Sequence, residues 1–198
     1  YIFDNFTATE DPLSYYHSLK ENTIKGYTCV SVTGGGTANS EFEFLTGNTL
    51  AFLPQSTVAY QLYFNEDTPS SIDEFNSLGY ETAAFHPYLA SGWNRPMVYK
   101  YMGFDKQLFK DDAVNKNIVR KYISDSADYE TLYSLTDECK GDMFIFNVTM
   151  QNHSGYSVSW DNGDEPVYAT GEFDNKDYTK SLNQYLSLLK ATDNATKE

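Results

Sequence analysis

The run Gly34-Gly35-Gly36-Thr37-Ala38-Asn39-Ser40-Glu41-Phe42-Glu43 restricts what this chain can fold into more than any other stretch. Ahead of it, Tyr27 to Val32 is rich in β-branched and aromatic residues, the composition of a buried strand. Behind it, Phe42, Phe44 and Leu45 begin an apolar helical face that Gly47-Asn48 stops. Three glycines in a row between strand and helix let the backbone turn sharply and approach a ligand closely. The first amides of such a helix lack internal partners and carry partial positive charge, which suits an anion such as phosphate. Thr37 stands where those amides begin. Two readings are open for its hydroxyl: a nucleophile for phosphorus, once a metal or base takes its proton, or a plain helix cap.

The rest of the chain continues the alternation of helix and strand. Residues 1–25 are a lead-in with a short helix from Asp11-Pro12 through Tyr15, Tyr16 and Leu19. Val58 to Tyr63 reads as extended. Ser70 or Ser71 caps a helix, with Glu74 placed near a capping box, and Gly79 ends it. Tyr80 to Phe85 is the next strand. Asn94 or Arg95 opens a helix with Pro96 in its first turn and Val98, Tyr101 and Met102 on its apolar stripe. Asp111 to Ile123 is charged on most faces and reads as a solvated helix. Ser126 or Asp128 caps another, with Leu132, Leu135 and Thr136 inward. Met143 to Thr149 is almost continuously apolar, the pattern of a central strand covered on both faces. Residues 157–172 read as an exposed loop. A final helix spans Tyr178 to Lys190, with Leu182, Tyr185, Leu186 and Leu189 inward, and 191–198 trail off as a disordered tail. Together these give an α/β class with a mostly parallel central sheet and helices on both faces.

In open α/β sheets the ligand site lies beyond the carboxyl ends of the strands. His86 and Trp93 follow one strand end and His153 another, and Arg95 opens the helix after Trp93. Arg95 offers a five-donor fork suited to phosphate oxygens, or is a plain helix cation. Trp93 stacks on a sugar or glycerol face, or covers core. His86 and His153, two of only three histidines, either touch a phosphate or shuttle a proton, or are simply hydrogen-bonded. A net charge of −14, from 14 Lys plus Arg against 28 Asp plus Glu, makes nucleic acid a poor partner. An anionic substrate then needs a local cation, which singles out Arg95. The aromatic content, with 17 Tyr and 13 Phe, fits carbohydrate contact, though a core can absorb it. Cys29 and Cys139 are too few for a disulfide framework and are expected as free thiols, Cys29 inside a buried strand. No apolar run is long enough to span a membrane.

Three blocks in one order carry a resemblance: Gly35-Gly36-Thr37-Ala38-Asn39-Ser40-Glu41-Phe42-Glu43-Phe44-Leu45-Thr46-Gly47; Phe85-His86-Pro87-Tyr88 with Gly92-Trp93-Asn94-Arg95; and Thr149-Met150-Gln151-Asn152-His153. They resemble the lipoteichoic acid synthase-like phosphoglycerol transferases, of the sulfatase-like branch of the alkaline phosphatase superfamily. The resemblance implies a partial alkaline phosphatase/sulfatase-like sandwich, with residues 1–198 a single middle fragment of the catalytic domain and residues 26–190 its α/β core. It implies that Thr37 is the nucleophile and a ligand of one Mn²⁺ or Mg²⁺, and that His86, Trp93, Arg95 and His153 line a glycerophosphate pocket. The donor would be phosphatidylglycerol, and the acceptor a glycerol-ended polymer or a glycolipid. The enzyme would sit on the outer face of a bacterial membrane, tethered by segments outside this chain. The family's other metal ligands have no match here, so the isolated chain is expected to be inactive and to bind Mn²⁺ poorly. Sulfatases proper build formylglycine in a Cys-x-Pro-x-Arg segment; Thr37-Ala38-Asn39-Ser40-Glu41 forbids that cofactor. The alternatives are another ester hydrolase of the superfamily, or a module that grips cell-wall polymer without chemistry.

Overall fold

The computed structural model describes residues 6–156, 160–171 and 176–197. In chain order its elements are β1 (Thr7–Ala8), α1 (Ser14–Ser18), α2 (Thr37–Thr46), α3 (Ala59–Leu62), α4 (Ser71–Ser77), β2 (Glu81–Phe85), α5 (Arg95–Tyr101), β3 (Lys106–Leu108), β4 (Ile118–Val119), β5 (Tyr122–Ile123), α6 (Asp125–Glu138), β6 (Met143–Asn147), β7 (Ala169–Thr170) and α7 (Lys176–Lys197). They fall into two units. One comprises Lys25–Ala113 and Leu132–Val148; the other comprises Tyr1–Ile24, Val114–Thr131 and Thr149–Glu198.

The first unit is built on a parallel sheet of order β3-β2-β6, with Ala83 opposite both Lys106 and Ile145. Its middle strand is β2, where Ala83, Ala84 and Phe85 have no exposure. β6, expected to be central and covered on both faces, is only half-buried and lies at one edge of the described sheet. The apolar run at Met143–Asn147 thus fixed neither full burial nor a partner strand on each side. The small Ala83 and Ala84 are what let other elements close over the middle strand. On one face, Ala84 packs in a cluster with Ala38, Phe42 and Leu45 of α2 and Val98, Tyr99 and Met102 around α5, with Phe144 and Phe146 against it. Side chains two apart on a strand share a face. Much of the aromatic content is spent in this unit: Phe75 stacks on Phe144 with centroids 4.1 Å apart, and Tyr99 meets Phe104 edge-on at 5.4 Å.

Several helix boundaries follow from local chemistry. α2 ends on Gly47 in the left-handed region (φ 68°), the stop expected of Gly47-Asn48. α4 has Ser70 as its N-cap and a true capping box, but the partner is Asp73, whose Oδ2 accepts from the Ser70 amide at 2.8 Å, and not Glu74. Glu74 sits one residue past the position the box geometry requires. α5 buries Val98 and Tyr99, and Met102 just past its end is buried too; Tyr101 is only half-buried.

Further expectations for this unit fail. Tyr27 to Val32 is not a strand. Tyr27 is fully exposed, Val30 is exposed, and Cys29 is an exposed free thiol rather than a buried one. β-propensity measures fit to neighbouring strands, and no strand pairs with this segment among the described residues. Val58 to Tyr63 is not extended: α3 forms there, its Ala59 amide donating to Asn39 Oδ1 at 2.9 Å. Thr136 of α6 is exposed, while Leu135 is buried.

In the second unit β1 pairs antiparallel with β7, and β4 with β5. The expected solvated helix over Asp111 to Ile123 is instead a short 3₁₀ turn and this β4–β5 hairpin. Arg120 takes a left-handed φ of 58° at its turn, and Tyr122 and Ile123 are buried. The charges that suggested a solvated helix lie before the hairpin and in its turn, at Arg120 and Lys121, while its strands are Ile118-Val119 and Tyr122-Ile123. Ser124, not Ser126 or Asp128, caps α6: its Oγ accepts from the Ala127 amide at 3.2 Å. The lead-in is tied down, with α1 capped from afar. Asp193 accepts from the amides of Tyr15 and Tyr16 at 2.7 and 2.9 Å. Asp193 belongs to α7, which continues to Lys197, so residues 191–197 are helical and not a tail. Of the expected 157–172 loop, residues 157–159 and 172 lie outside the described residues; within the rest Val167 is fully buried and β7 forms.

Asp125 anchors α6 in this unit. Its Oδ2 accepts from Thr192 Oγ1 (2.5 Å) and Gln151 Nε2 (3.3 Å), while its amide donates to Gln151 Oε1. Burial is the main effect on its carboxyl and pushes the pKa above the usual range. A carboxyl raised on folding favours the protonated native state. Its stabilising effect is therefore fully present below the unfolded pKa and is lost as pH rises through the folded one. The expected result is that Asp125→Asn flattens this part of the stability–pH curve. Thermal unfolding midpoints of both proteins, compared from acid to neutral pH, check it; parallel curves would contradict it.

Candidate active site

Thr37 is the first residue of α2. The residue before it, Gly36, takes the N-cap position with φ 72°, and Gly34 and Gly35 also have positive φ (72° and 131°). At Gly36 the left-handed angle strains any residue with a side chain, and a Cβ would stand a tight 3.2 Å from Val32 Cγ1. The glycines thus carry the turn, and Thr37 does not act as a cap: α2 has no side-chain cap hydrogen bond. Thr37 is exposed. The loop ahead of it is clamped to the helix by Glu43, which accepts from Ser31 Oγ at 2.5 Å and from the Leu50 amide at 2.8 Å. The Ser31 bond is the main reason the Glu43 carboxyl lies below its usual range. Asn39 ties the same helix to the segment before α3, donating to Thr57 O at 2.7 Å.

One turn beyond Thr37, about 6 Å along the axis, Glu41 points into the core with only 4% exposure. It accepts from Arg95, through Nη2 to Oε1 and through Nε to Oε2 (3.3 Å), and from the Tyr99 hydroxyl at 3.3 Å. Arg95 is itself 2% exposed. Burial alone would lower the Arg95 pKa, but the hydrogen bond and charge of Glu41 outweigh it and the net shift is upward. Burial, then the Glu41 charge, raises both Tyr99 and Tyr60 far above the usual phenol range, so both stay protonated.

Arg95 reaches this place through a strained approach. Trp93 and Asn94 both take left-handed φ angles, 58° and 59°, before α5 begins at Arg95 with Pro96 behind it. Two consecutive non-glycine residues in that region are costly and persist only where surroundings enforce them. Trp93 is consequently turned outward, 37% exposed, rather than packed as core. His86 follows β2, on the face of Ala84 if the strand alternation is continued, and is 4% exposed. Its Nδ1 donates to Val148 O at 2.8 Å, so in the neutral ring Nε2 is the acceptor.

His153 belongs to the other unit. It is exposed, with Nδ1 3.4 Å from the Tyr122 hydroxyl and the two rings edge to face. Its loop is held by Arg120, whose Nη2 donates to Gln151 O (2.9 Å) and His153 O (2.8 Å) and whose Nη1 donates to Gly155 O (3.2 Å). Arg120→Ala is expected to orphan these carbonyls and cost about 1–3 kcal/mol. Faster amide hydrogen exchange in residues 150–156, with the β2 and β6 amides unchanged, checks it.

Glu41 and Arg120 are not apparent from residue type alone. Glu41 does leave a trace: it interrupts the apolar stripe Ala38, Phe42, Leu45, and a carboxylate on a core-facing stripe demands a buried cation. Arg120 leaves none, since its role depends on carbonyls 31 to 35 residues away.

Among the described residues no group of three or more His, Cys, Asp or Glu is gathered to hold a metal ion. Members of the superfamily typically use a divalent metal. Thr37 supplies one oxygen, whereas such an ion takes several oxygen or nitrogen ligands. The residues present do not make up the site, and no step below runs through it. No helix among the described residues is long and apolar enough to cross a membrane.

The family model described as Sulfatase matches residues 2–198. A protein of Rhizobium meliloti (strain 1021) named for cyclic beta-1,2-glucan modification is 38% identical over 129 residues, covering 64% of this chain and 20% of its own length. Lipoteichoic acid synthase of Staphylococcus aureus (strain USA300) is 27% identical over 164 residues, covering 79% and 23%. Among solved structures, the phosphoglycerol transferase GacH of Streptococcus pyogenes, in complex with sn-glycerol-1-phosphate, superposes with a TM-score of 0.84 at 30% identity, covering 98% of this chain and 51% of that one. The lipoteichoic acid synthase LtaP of Listeria monocytogenes shares the fold, with a TM-score of 0.68 at 20% identity over 84% and 39%. The chain thus spans about a fifth of the first two relatives and half of GacH. The resemblance carried by the three sequence blocks stands: these relatives include phosphoglycerol transferases of the alkaline phosphatase superfamily, and the α/β class is theirs.

Proposed function

Because the chain belongs to the sulfatase family, we propose that it carries the nucleophile and phosphate-binding part of a phosphoglycerol transferase. The observation that supports this most is Thr37: exposed, first in a ten-residue helix entered through glycines, and one turn from the Glu41–Arg95 pair. Thr37 Oγ1 attacks the phosphorus of a phosphatidylglycerol head group. The O–P bond to Thr37 forms and the bond from phosphorus to the diacylglycerol oxygen breaks. The Thr37 proton leaves and the departing oxygen gains one, so protons balance. A hydroxyl of the acceptor then attacks the same phosphorus and loses its proton, the bond from phosphorus to Thr37 Oγ1 breaks, and that oxygen gains a proton, which restores the alcohol. The first-turn amides of α2 and the Arg95 guanidinium face the phosphate charge. Trp93 and His86 hold the glycerol and its phosphate. A divalent cation, Mn²⁺ or Mg²⁺, would lower the hydroxyl pKa when bound; Thr37 would give it one oxygen, the remaining ligands not being among the described residues.

Glycan is the acceptor class favoured by the relative named for cyclic glucan modification. The sn-glycerol-1-phosphate in the GacH complex supports a glycerophosphate pocket here. We place the protein on the outer face of a bacterial membrane, where that lipid and such glycans meet. The test incubates the complete protein with phosphatidylglycerol. Release of diacylglycerol, with a glycerophosphate adduct on the Thr37 peptide by mass spectrometry, is the expected result. Free glycerophosphate without an adduct would point to a hydrolase, and neither product would leave a module that only binds polymer.

A further inference from the structure

We infer that Glu41 is a positioning residue: it grips one edge of the Arg95 fork so that the remaining nitrogen, Nη1, is presented beside Gly92 to a phosphate oxygen. This rests on the reading of Arg95 as a phosphate ligand. Glu41 holds Nε and Nη2. Nη1 is the guanidinium nitrogen that Glu41 does not hold. A Cβ on Gly92 would stand 3.4 Å from Nη1, so the missing side chain at Gly92 keeps that approach to the nitrogen uncovered. Glu41 lies four residues after Thr37 on a continuous helix. The orientation of the guanidinium is therefore referenced directly to the helix that carries the attacking oxygen. Tyr99 adds a hydrogen bond to Glu41 Oε2 and keeps the carboxylate from rotating away. A guanidinium held on one edge has one remaining direction in which to donate, which is how a rigid fork selects an anion's position.

An ion pair that merely stabilised the core would be indifferent to turnover once the protein is folded, and this separates the two roles. The experiment measures kcat and KM for phosphatidylglycerol in the complete protein for Glu41→Gln, Arg95→Lys and the double variant, at a temperature where each retains its near-ultraviolet circular dichroism. Glu41→Gln is expected to lower kcat/KM by about tenfold to a hundredfold, the scale of a misplaced contact. In the Arg95→Lys background, already impaired, Glu41→Gln should add little, because both act through one group. Gly92→Ala, which leaves the core alone, should raise KM by shielding Nη1; it decides the matter if Glu41→Gln does not fold. Full activity in Glu41→Gln, additive losses in the double variant, or, where Gly92→Ala must decide, an unchanged KM, would overturn the inference while the role of Arg95 stands. Full activity in Arg95→Lys would instead overturn the reading of Arg95 itself.

Discussion

Thr37→Ala will cost the complete protein at least about a thousandfold in transfer, since removing a covalent nucleophile leaves only binding and electrostatics to act. The same change will leave stability within about 0.5 kcal/mol, the range of exposed substitutions away from special features. The reason is structural: Thr37 is exposed, Gly36 holds the N-cap position, and no side-chain cap bond exists to lose. A hydroxyl that served only as a cap would give the opposite pattern, a loss of about 1 kcal/mol with activity kept. Thr37→Ser, which restores the alcohol, should regain much of the transfer. The two measurements needed are diacylglycerol release and the midpoint of chemical denaturation. Transfer surviving in Thr37→Ala would reject the nucleophile.

Arg95→Ala will be the most destabilising single change in the first unit's polar core, at about 3–5 kcal/mol, the cost of leaving one member of a buried pair uncompensated. Glu41 would remain at 4% exposure, without a cation and with the Tyr99 hydroxyl still donating to it. The double change Glu41→Leu with Arg95→Met should recover most of that loss, because an apolar pair of similar volume removes both desolvation costs. It should nevertheless remain inactive. Denaturation of the three proteins checks the first statement and the transfer assay the second. A shift below about 1 kcal/mol for Arg95→Ala would mean that the pair is solvated, as exposed ion pairs are.

Both predictions start from residues that stand out in sequence, yet the sequence reaches them unevenly. Thr37 is marked by its glycines, whose positive φ angles only that residue type accepts readily, so turn and helix start are local properties. The capping of α4 by Ser70, the stop at Gly47 and the entry of α5 at Arg95-Pro96 are local too. What Arg95 touches is not. A guanidinium at a helix start is equally at home in solvent, and only the packing of α2 against α5 decides that Glu41 meets it 54 residues away. Trp93 is turned outward by two strained backbone angles that no residue pattern announces.

The strand at 27–32 and the helix at 111–123 fail for one reason. A β-rich segment becomes a strand only if another strand offers its hydrogen bonds, and a charged segment becomes a helix only if no hairpin partner competes. Asp193 shows the same limit from the other side. Nothing near it in sequence demands order, yet it caps α1 across 178 residues and carries α7 to Lys197. Short-range stereochemistry is written in residue type and spacing, so the sequence determined the glycine turn, the helix it launches and the α/β class. Hydrogen-bond partners and buried charges depend on chain segments brought together over long separations, so only the tertiary structure decided that Glu41 holds Arg95, that β2 is the middle strand, and that Arg120 braces the His153 loop.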